Sequence, residues 1–166
     1  GSAFTVNNAS ISFNSSKVMR NASANSTAVV VENGTATVTA TIFYDNDQDI
    51  ELDDTSSVTL DWVILYESWN DSSKTFNLTT GSALTVTSSM VQGTQDGITV
   101  DGTSTLDWED EHLPYYGGNL PSVNPLFCDA PTDLNICEDS QCIIFDPTDP
   151  EDIEGFPVGG IDVGCG

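Results

Sequence analysis

The stretch of sequence that decides the fold is Thr35-Ala-Thr-Val-Thr-Ala-Thr-Ile-Phe-Tyr44. Threonine alternates with apolar residues along most of it, and the apolar face contains Ala36, Val38, Ala40 and Ile42. Successive side chains of a β-strand point to opposite faces, so a period of two residues indicates a strand that buries one face. Residues 57–66 show the same alternation. The sequence predicts a long strand at each place.

Shorter candidate strands lie on both sides of these two stretches. They are Phe4–Val6, Ile11–Phe13, Ala28–Val31, Thr75–Leu78, Ala83–Val86, Ile98–Val100, Ser104–Trp108 and Cys142–Phe145. Asp-Gly pairs, which favour tight turns, bracket residues 98–100, and no window shows the 3.6-residue period of a helix. We therefore expect an all-β fold, an antiparallel β-sandwich of roughly eight strands with Ig-like or jelly-roll-like topology.

The C-terminal part of the chain has a different composition. All seven prolines lie between Pro114 and Pro157, among the four cysteines. Proline cannot donate a ladder hydrogen bond, so we expect this part to be mostly loop, stapled by disulfides. The predicted organisation is one domain: an N-terminal extension at residues 1–20, a sandwich body at 21–112 and a Pro/Cys-rich part at 113–166.

The cysteines form an even set, Cys128, Cys137, Cys142 and Cys165. In an exported protein such a set predicts two disulfides, with three possible connectivities. A zinc site is the competing interpretation. The spacings include no CxxC pair, and His112 is the only histidine, which favours disulfides.

Seven N-x-Ser/Thr sequons, none with a central proline, lie within the first 79 residues. Their asparagines are Asn8, Asn14, Asn21, Asn25, Asn33, Asn70 and Asn77. The 12 asparagines and the Ser and Thr content of the chain predict roughly three sequons by chance. The excess predicts N-linked glycans on an extracellular or cell-surface protein. The alternative is a chain that is simply rich in Asn, Ser and Thr.

The charge is extreme and unevenly distributed. Residues 1–44 contain Lys17, Arg20 and one acid, Glu32, whereas the rest of the chain contains 25 acids and only Lys74. A surface of this kind repels nucleic-acid phosphates and anionic lipids, so we expect neither partner. The longest apolar runs are also too short to span a bilayer, and we expect no membrane insertion of this mature chain.

Carboxylates at alternate positions mark one acidic segment. They belong to Asp45, Asp47, Asp49, Glu51 and Asp53. Calcium binds several oxygens at once, and the D-x-D-x-D opening resembles a calcium loop, although Ile50 replaces the glycine of an EF-hand. The segment predicts either a calcium site or a solvated acidic loop.

Catalytic patterns are missing from the sequence. No G-x-S-x-G, P-loop or HExxH motif occurs, and the carboxylate pair Glu109 and Glu111 is expected by chance in so acidic a chain. We predict that the protein is not an enzyme. Several aromatic residues could instead form a sugar-binding platform: Trp62, Trp69, Trp108, Tyr115 and Tyr116. Of these, Trp62 is expected in the core.

The N-terminal residues predict a role in assembly. A near-neutral apolar segment precedes a strongly acidic body, and an extended strand of this kind can complete the sheet of a neighbour. The predicted donor-strand residues are Ala3, Phe4, Thr5, Val6, Ile11 and Phe13. Repeated head to tail, the contact would give a helical polymer.

This organisation resembles secreted archaeal filament subunits of the thread and cannula type, which polymerise by donor-strand complementation. The likeness lies in Ser2-Ala-Phe-Thr5, the all-β body, the sequons and the ending Val163-Gly-Cys-Gly166. It implies an extracellular structural filament, assisted by calcium in the cannula case. The alternative function is a monomeric cell-surface adhesin or carbohydrate-binding domain whose partners are surface glycans.

Overall fold

The computed structural model describes residues 2–20, 26–67, 76–109, 118–144 and 156–159. Its main body is a β-solenoid in which the chain makes about four turns. Each full turn contributes one strand to each of three parallel sheets, which we call sheets A, B and C.

The strands of each sheet follow one another at one-turn intervals. Sheet A contains β1 (Ser2–Asn7), β4 (Thr27–Glu32), β7 (Gln48–Asp53), β10 (Phe76–Leu78) and β13 (Ile98–Val100). Sheet B contains β2 (Ser10–Asn14), β5 (Thr35–Thr39), β8 (Ser57–Asp61), β11 (Ala83–Thr87) and β14 (Thr105–Trp108). Sheet C contains β3 (Lys17–Met19), β6 (Ile42–Tyr44), β9 (Ile64–Tyr66) and β12 (Met90–Val91). A short 3-10 helix, Thr94–Gly97, precedes β13.

The prediction of an antiparallel β-sandwich was wrong. All strand pairs within sheets A, B and C are parallel, for example β1 with β4 and β4 with β7. Alternation of polar and apolar residues identifies a strand with one buried face, and it is compatible with either direction of pairing. The direction is set by the corners of the solenoid, where the chain turns and returns one layer higher.

Left-handed backbone conformations form these corners. The residue after each sheet A strand has a positive φ in three successive turns, at Asn8 (51°), Asn33 (48°) and Asp54 (50°). Asparagine and aspartate adopt this conformation more readily than other non-glycine residues. A second column of corners, between sheets B and C, includes Ala40 and Trp62.

These corners explain two errors in strand length. Residues 35–44 and 57–66 were each predicted as one strand, but each breaks into two strands at a left-handed residue, Ala40 or Trp62. Trp62 therefore lies half-buried at a corner instead of in mid-strand. Neither residue type favours the left-handed region, so the sequence gives no local signal for the break.

Apolar side chains from the three sheets fill the interior in stacked columns. In sheet A one column runs through Val6, Val31, Leu52 and Leu78, which are directly paired from turn to turn. All four are buried, and full burial of such a side chain contributes about 1.5–3 kcal/mol. The same positions recur every 21 to 26 residues, and this variation in spacing conceals the repeat in the sequence.

The C-terminal part packs against the outer face of sheet C. It contains two antiparallel pairs, β15 (Phe127–Asp129) with β16 (Asp133–Ile136) and β17 (Ile143–Ile144) with β18 (Phe156–Pro157). A second apolar cluster forms where these elements meet sheet C, and it includes Ile42, Ile64, Met90, Leu134 and Ile136. The edge-to-face contact of Tyr44 with Phe127, at 5.5 Å, belongs to the same layer.

Candidate functional site

Two of the predicted glycosylation sites stack on each other at the corner between sheets A and B. Asn8 and Asn33 are both exposed, and Nδ2 of Asn33 donates to Oδ1 of Asn8 at 2.5 Å. The hydroxyl of Thr55 continues the column with a 3.4 Å bond to Oδ1 of Asn33. Asparagine favours the left-handed corner, and the strand that follows is rich in serine and threonine. The fold alone can therefore account for the N-x-Ser/Thr pattern at Asn8 and Asn33, independently of glycosylation.

The other sequons have different surroundings. Asn14 is exposed at the end of β2, whereas Asn77 is half-buried in β10, between Glu51 and Thr99 of the neighbouring strands. Asn21, Asn25 and Asn70 lie outside the described residues. N-glycosylation stays a prediction at all seven positions.

The acidic segment is only partly a strand: Asp45 and Asp47 lie in the bend before β7, and Asp49, Glu51 and Asp53 lie in β7 itself. Ile50 and Leu52 of β7 point into the core, so Asp49, Glu51 and Asp53 alternate on the other face and do not converge. Each carboxylate contacts different neighbours. Asp45 lies 3.7 Å from Nε of Arg20, and Asp47 accepts a hydrogen bond from the backbone N–H of Ser26. Side chains donate to the other three: Asn46 to Asp49, Thr27 to Glu51, and Thr79 and Thr80 to Asp53. Among the described residues no three His, Cys, Asp or Glu side chains could hold a metal ion.

Hydrogen bonds also set the charge state of two of the acids. The hydroxyls of Thr79 and Thr80 lower the pKa of Asp53. Backbone N–H groups of Thr103 and Thr80 hold the pKa of Asp101 well below its ordinary value. These carboxylates stay ionised and anchor the turns that follow β10 and β13. Their role here is structural.

The cysteines lie in the layer that covers sheet C. Cys128 is disulfide-bonded. Its Sγ also lies 4.0 Å from Sγ of Cys137, a contact that is longer than an S–S bond. Cys142 is a buried thiol, and burial raises its pKa to about 12. Cys165 lies outside the described residues. Closure of two disulfides by the four cysteines stays a prediction.

The predicted donor-strand residues belong to the first turn of the same chain. Ala3 to Val6 lie in β1, which pairs with β4, and Ile11 and Phe13 lie in β2, which pairs with β5. The other edge of β1 and of β2 pairs with no described strand. Phe4 points to the interior side of the sheet and its ring contacts that of Phe13 at 5.2 Å, yet it is 43% exposed, because none of the described turns lies above it.

The last turn has a matching edge that pairs with no strand among the described residues. β13 and β14 end sheets A and B, and Val100 of β13 is 38% exposed. The charged residues of the two ends are complementary. The first turn (residues 2–20) contains only Lys17 and Arg20, whereas residues 98–109 contain three acids and no base.

The outward face of sheet B is a grid of hydroxyl groups, a feature that the strand alternation indicated only in part. Ten of its fourteen outward positions are serine or threonine. They are Ser10, Ser12, Thr35, Thr37, Thr39, Ser57, Thr59, Thr85, Thr87 and Thr105. No aromatic side chain lies at any of the fourteen positions.

The aromatic and acidic residues considered for sugar binding or catalysis do not form one site among the described residues. Trp62 packs in the layer over sheet C, and Trp108 packs against the interior core. Glu109 accepts from the backbone N–H of Ser88, a structural contact. Trp69, Glu111, His112, Tyr115 and Tyr116 lie outside the described residues.

Comparisons with known proteins gave no assignment: no family model matched the chain, and neither the curated proteins nor the solved structures gave a match. Within the described ranges, no helix has the length and apolar character needed to cross a membrane.

Proposed function

We propose that this chain is a structural subunit of an extracellular, N-glycosylated surface filament in which copies stack head to tail. The observation that carries the proposal is the pair of open ends, where the outer edges of β1 and β2 on one side and of β13 and β14 on the other pair with no strand in the described part of the chain. An unpaired strand edge recruits another strand through its backbone N–H and C=O groups.

The geometry favours addition of whole turns over donation of a single strand. If β1 and β2 of one copy pair with β13 and β14 of the next, sheets A and B continue across the junction. The interior column then continues too, since Phe4 would lie over Ile98 and Val6 over Val100. Burying the exposed parts of Phe4 and Val100 contributes about 2 kcal/mol per junction.

Charge supports the same polarity. The first turn contains the cations Lys17 and Arg20 and no acid, whereas the last turn contains the acids Asp101, Asp107 and Glu109 and no base, so the two ends attract each other. Two first turns facing each other would place only positive groups together, and two last turns only negative groups. The contact is therefore heterologous, and such a contact forms a filament when its rotation does not close a ring.

Complementation between two variants tests this arrangement. Phe4→Glu should block the first-turn end, and Val100→Glu the last-turn end. Thr5→Glu and Thr99→Glu are matched controls, because they place the same charge on the same strands but on the outward face. We expect filaments from the unchanged chain and from both controls in electron micrographs, and monomers from each end variant alone.

Mixing the two end variants is the decisive step. Each retains the end that the other has lost, so sedimentation should show one-to-one dimers and nothing longer. An unchanged chain that stays monomeric at every concentration would refute the proposal, as would mixed variants that never pair. Intact mass before and after enzymatic removal of N-glycans tests the extracellular, glycosylated part separately.

A further inference from the structure

The hydroxyl grid on sheet B is a candidate binding face that the filament contact does not use. The grid lies on the side of the solenoid, whereas stacking uses its ends. Its outer residues in β5 and β8 are largely exposed, and the second apolar layer covers sheet C only. Within the described part of the chain the face is therefore largely open to solvent over β2, β5, β8 and β14, whereas the outward positions of β11 are half-buried.

The grid is regular in two directions. Parallel strands lie about 4.8 Å apart, and alternate residues of one strand about 6.6 Å apart. Direct pairing keeps the columns aligned: Ser12, Thr37, Thr59 and Thr85 form one of them. Three columns across five strands cover about 13 Å by about 19 Å.

The side chains on this face are also held in place. Threonine is branched at Cβ and has few χ1 rotamers available. The hydroxyl of Thr35 donates to Ser10 at 2.7 Å, and that of Thr87 to Asp61 at 3.0 Å, so some neighbouring turns are tied together. A rigid array loses little conformational entropy when it binds another ordered array.

The chemistry of the face limits what it can bind. Sugar chains are commonly bound by stacking on aromatic rings, and this face has none. Its only charges are Asp61 and Asp107, both outside the central block formed by Thr35, Thr37 and Thr59. A flat, mostly uncharged array of hydroxyl and methyl groups suits a surface of ordered water, in which hydroxyls replace lattice oxygens and methyl groups fill the gaps between them.

We propose that the outward face of sheet B binds ice. The spacing of about 4.8 Å between strands lies close to one oxygen repeat on the prism faces of hexagonal ice, so the hydroxyls of one column can engage the lattice together. This activity does not depend on the filament, because a single chain carries the whole grid.

Crystal growth in the presence of the protein tests the proposal. The chain made in a bacterial host, without glycans, should shape single ice crystals and hold their growth over a measurable interval below the melting point. Thr59→Tyr places a bulky ring in the middle of the grid and should abolish both effects. Thr99→Tyr, on the outward face of sheet A, is the matched control and should retain them. Thr59→Val retains the β-branched shape and should lose only part of the activity.

Three outcomes would overturn the proposal. One is ice that grows as it does in an albumin control, and another is equal activity of the Thr59→Tyr and Thr99→Tyr variants. The third is binding to cellulose or chitin particles that Thr59→Tyr abolishes, which would assign the face to polysaccharide instead. Melting curves of all variants are the check that each solenoid remains folded, so that a lost effect is assigned to the face and not to unfolding.

Discussion

Replacing Gly34 with alanine should destabilise the solenoid, because this glycine lies against the backbone of the preceding turn. A Cβ at position 34 would lie 2.6 Å from the carbonyl oxygen of Ala9 and 3.3 Å from Cγ1 of Val6. The same carbonyl accepts a 2.9 Å hydrogen bond from the N–H of Thr35. It can move away from the new methyl group only by weakening that bond.

Gly102 provides the matched control. A Cβ there would meet no atom within 4 Å, and neither glycine has a positive φ. Alanine at either position stabilises by about 0.4–1 kcal/mol, because it restricts the unfolded chain. At position 34, overpacking costs about 1–3 kcal/mol. We therefore expect Gly34→Ala to lower the free energy of unfolding and Gly102→Ala to raise it slightly.

Urea and thermal unfolding of the two variants, followed by circular dichroism, measure the difference. A cost of about 1–3 kcal/mol corresponds to a gap of about 2–12 °C between their midpoints for a domain of this size. Gly34→Ala keeps the Asn33 sequon, so glycan occupancy does not confound the comparison. Equal midpoints would show that the corners of successive turns are not in contact, and the stacked-turn argument would fail.

Three further predictions concern ionisable groups. The pKa of Asp53 is lowered in the folded state, so its ionised form should stabilise the fold fully above pH 3.8, its ordinary pKa, and this stability should be lost as the pH falls through the lowered pKa. Thr79→Val should weaken this acid dependence of the free energy of unfolding, as measured by urea titrations at several pH values. Burial, together with the hydrogen bond to Glu67, raises the pKa of Tyr44 to about 12, so an alkaline absorbance titration should show this phenol ionising well above pH 10. The free energy of unfolding should decline as the pH rises from 10 towards 12, because the unfolded phenol ionises first, and Tyr44→Phe should remove this decline. Cys142 should resist iodoacetamide in the native protein and react after unfolding, as followed by peptide mass spectrometry; rapid native labelling would contradict its burial.

The strands could be predicted to a large extent, since their signal is local. The alternation at Thr35–Thr39 and Ser57–Asp61 identifies both the strand and its buried face. The strand Gln48–Asp53 was missed because its outward positions are acidic and suggested a calcium loop, although Ile50 and Leu52 show the inward alternation. Lys17–Met19 was missed because three residues are too few to display a period.

The candidate sites could also be predicted only in part. The sequence shows which positions are asparagine or threonine, but it does not show which of them stack on each other in successive turns. The tetrapeptide Thr-Leu-Asp-Trp, for example, occurs at residues 59–62 and again at residues 105–108, yet the register aligns Thr105 with Ser57 and not with Thr59. Local similarity therefore does not identify which residues become neighbours across turns.

The sequence by itself determined that this chain forms strands with one apolar and one polar face, because side-chain direction alternates with each residue of an extended backbone. Only the tertiary structure decided that the strands run parallel and return every 21 to 26 residues, because that depends on left-handed corners at residues such as Ala40 and Trp62 that have no local preference for them. The stacking of turns converts separate threonines into a grid and leaves Phe4 and Val100 at open ends. Both proposed functions depend on that stacking.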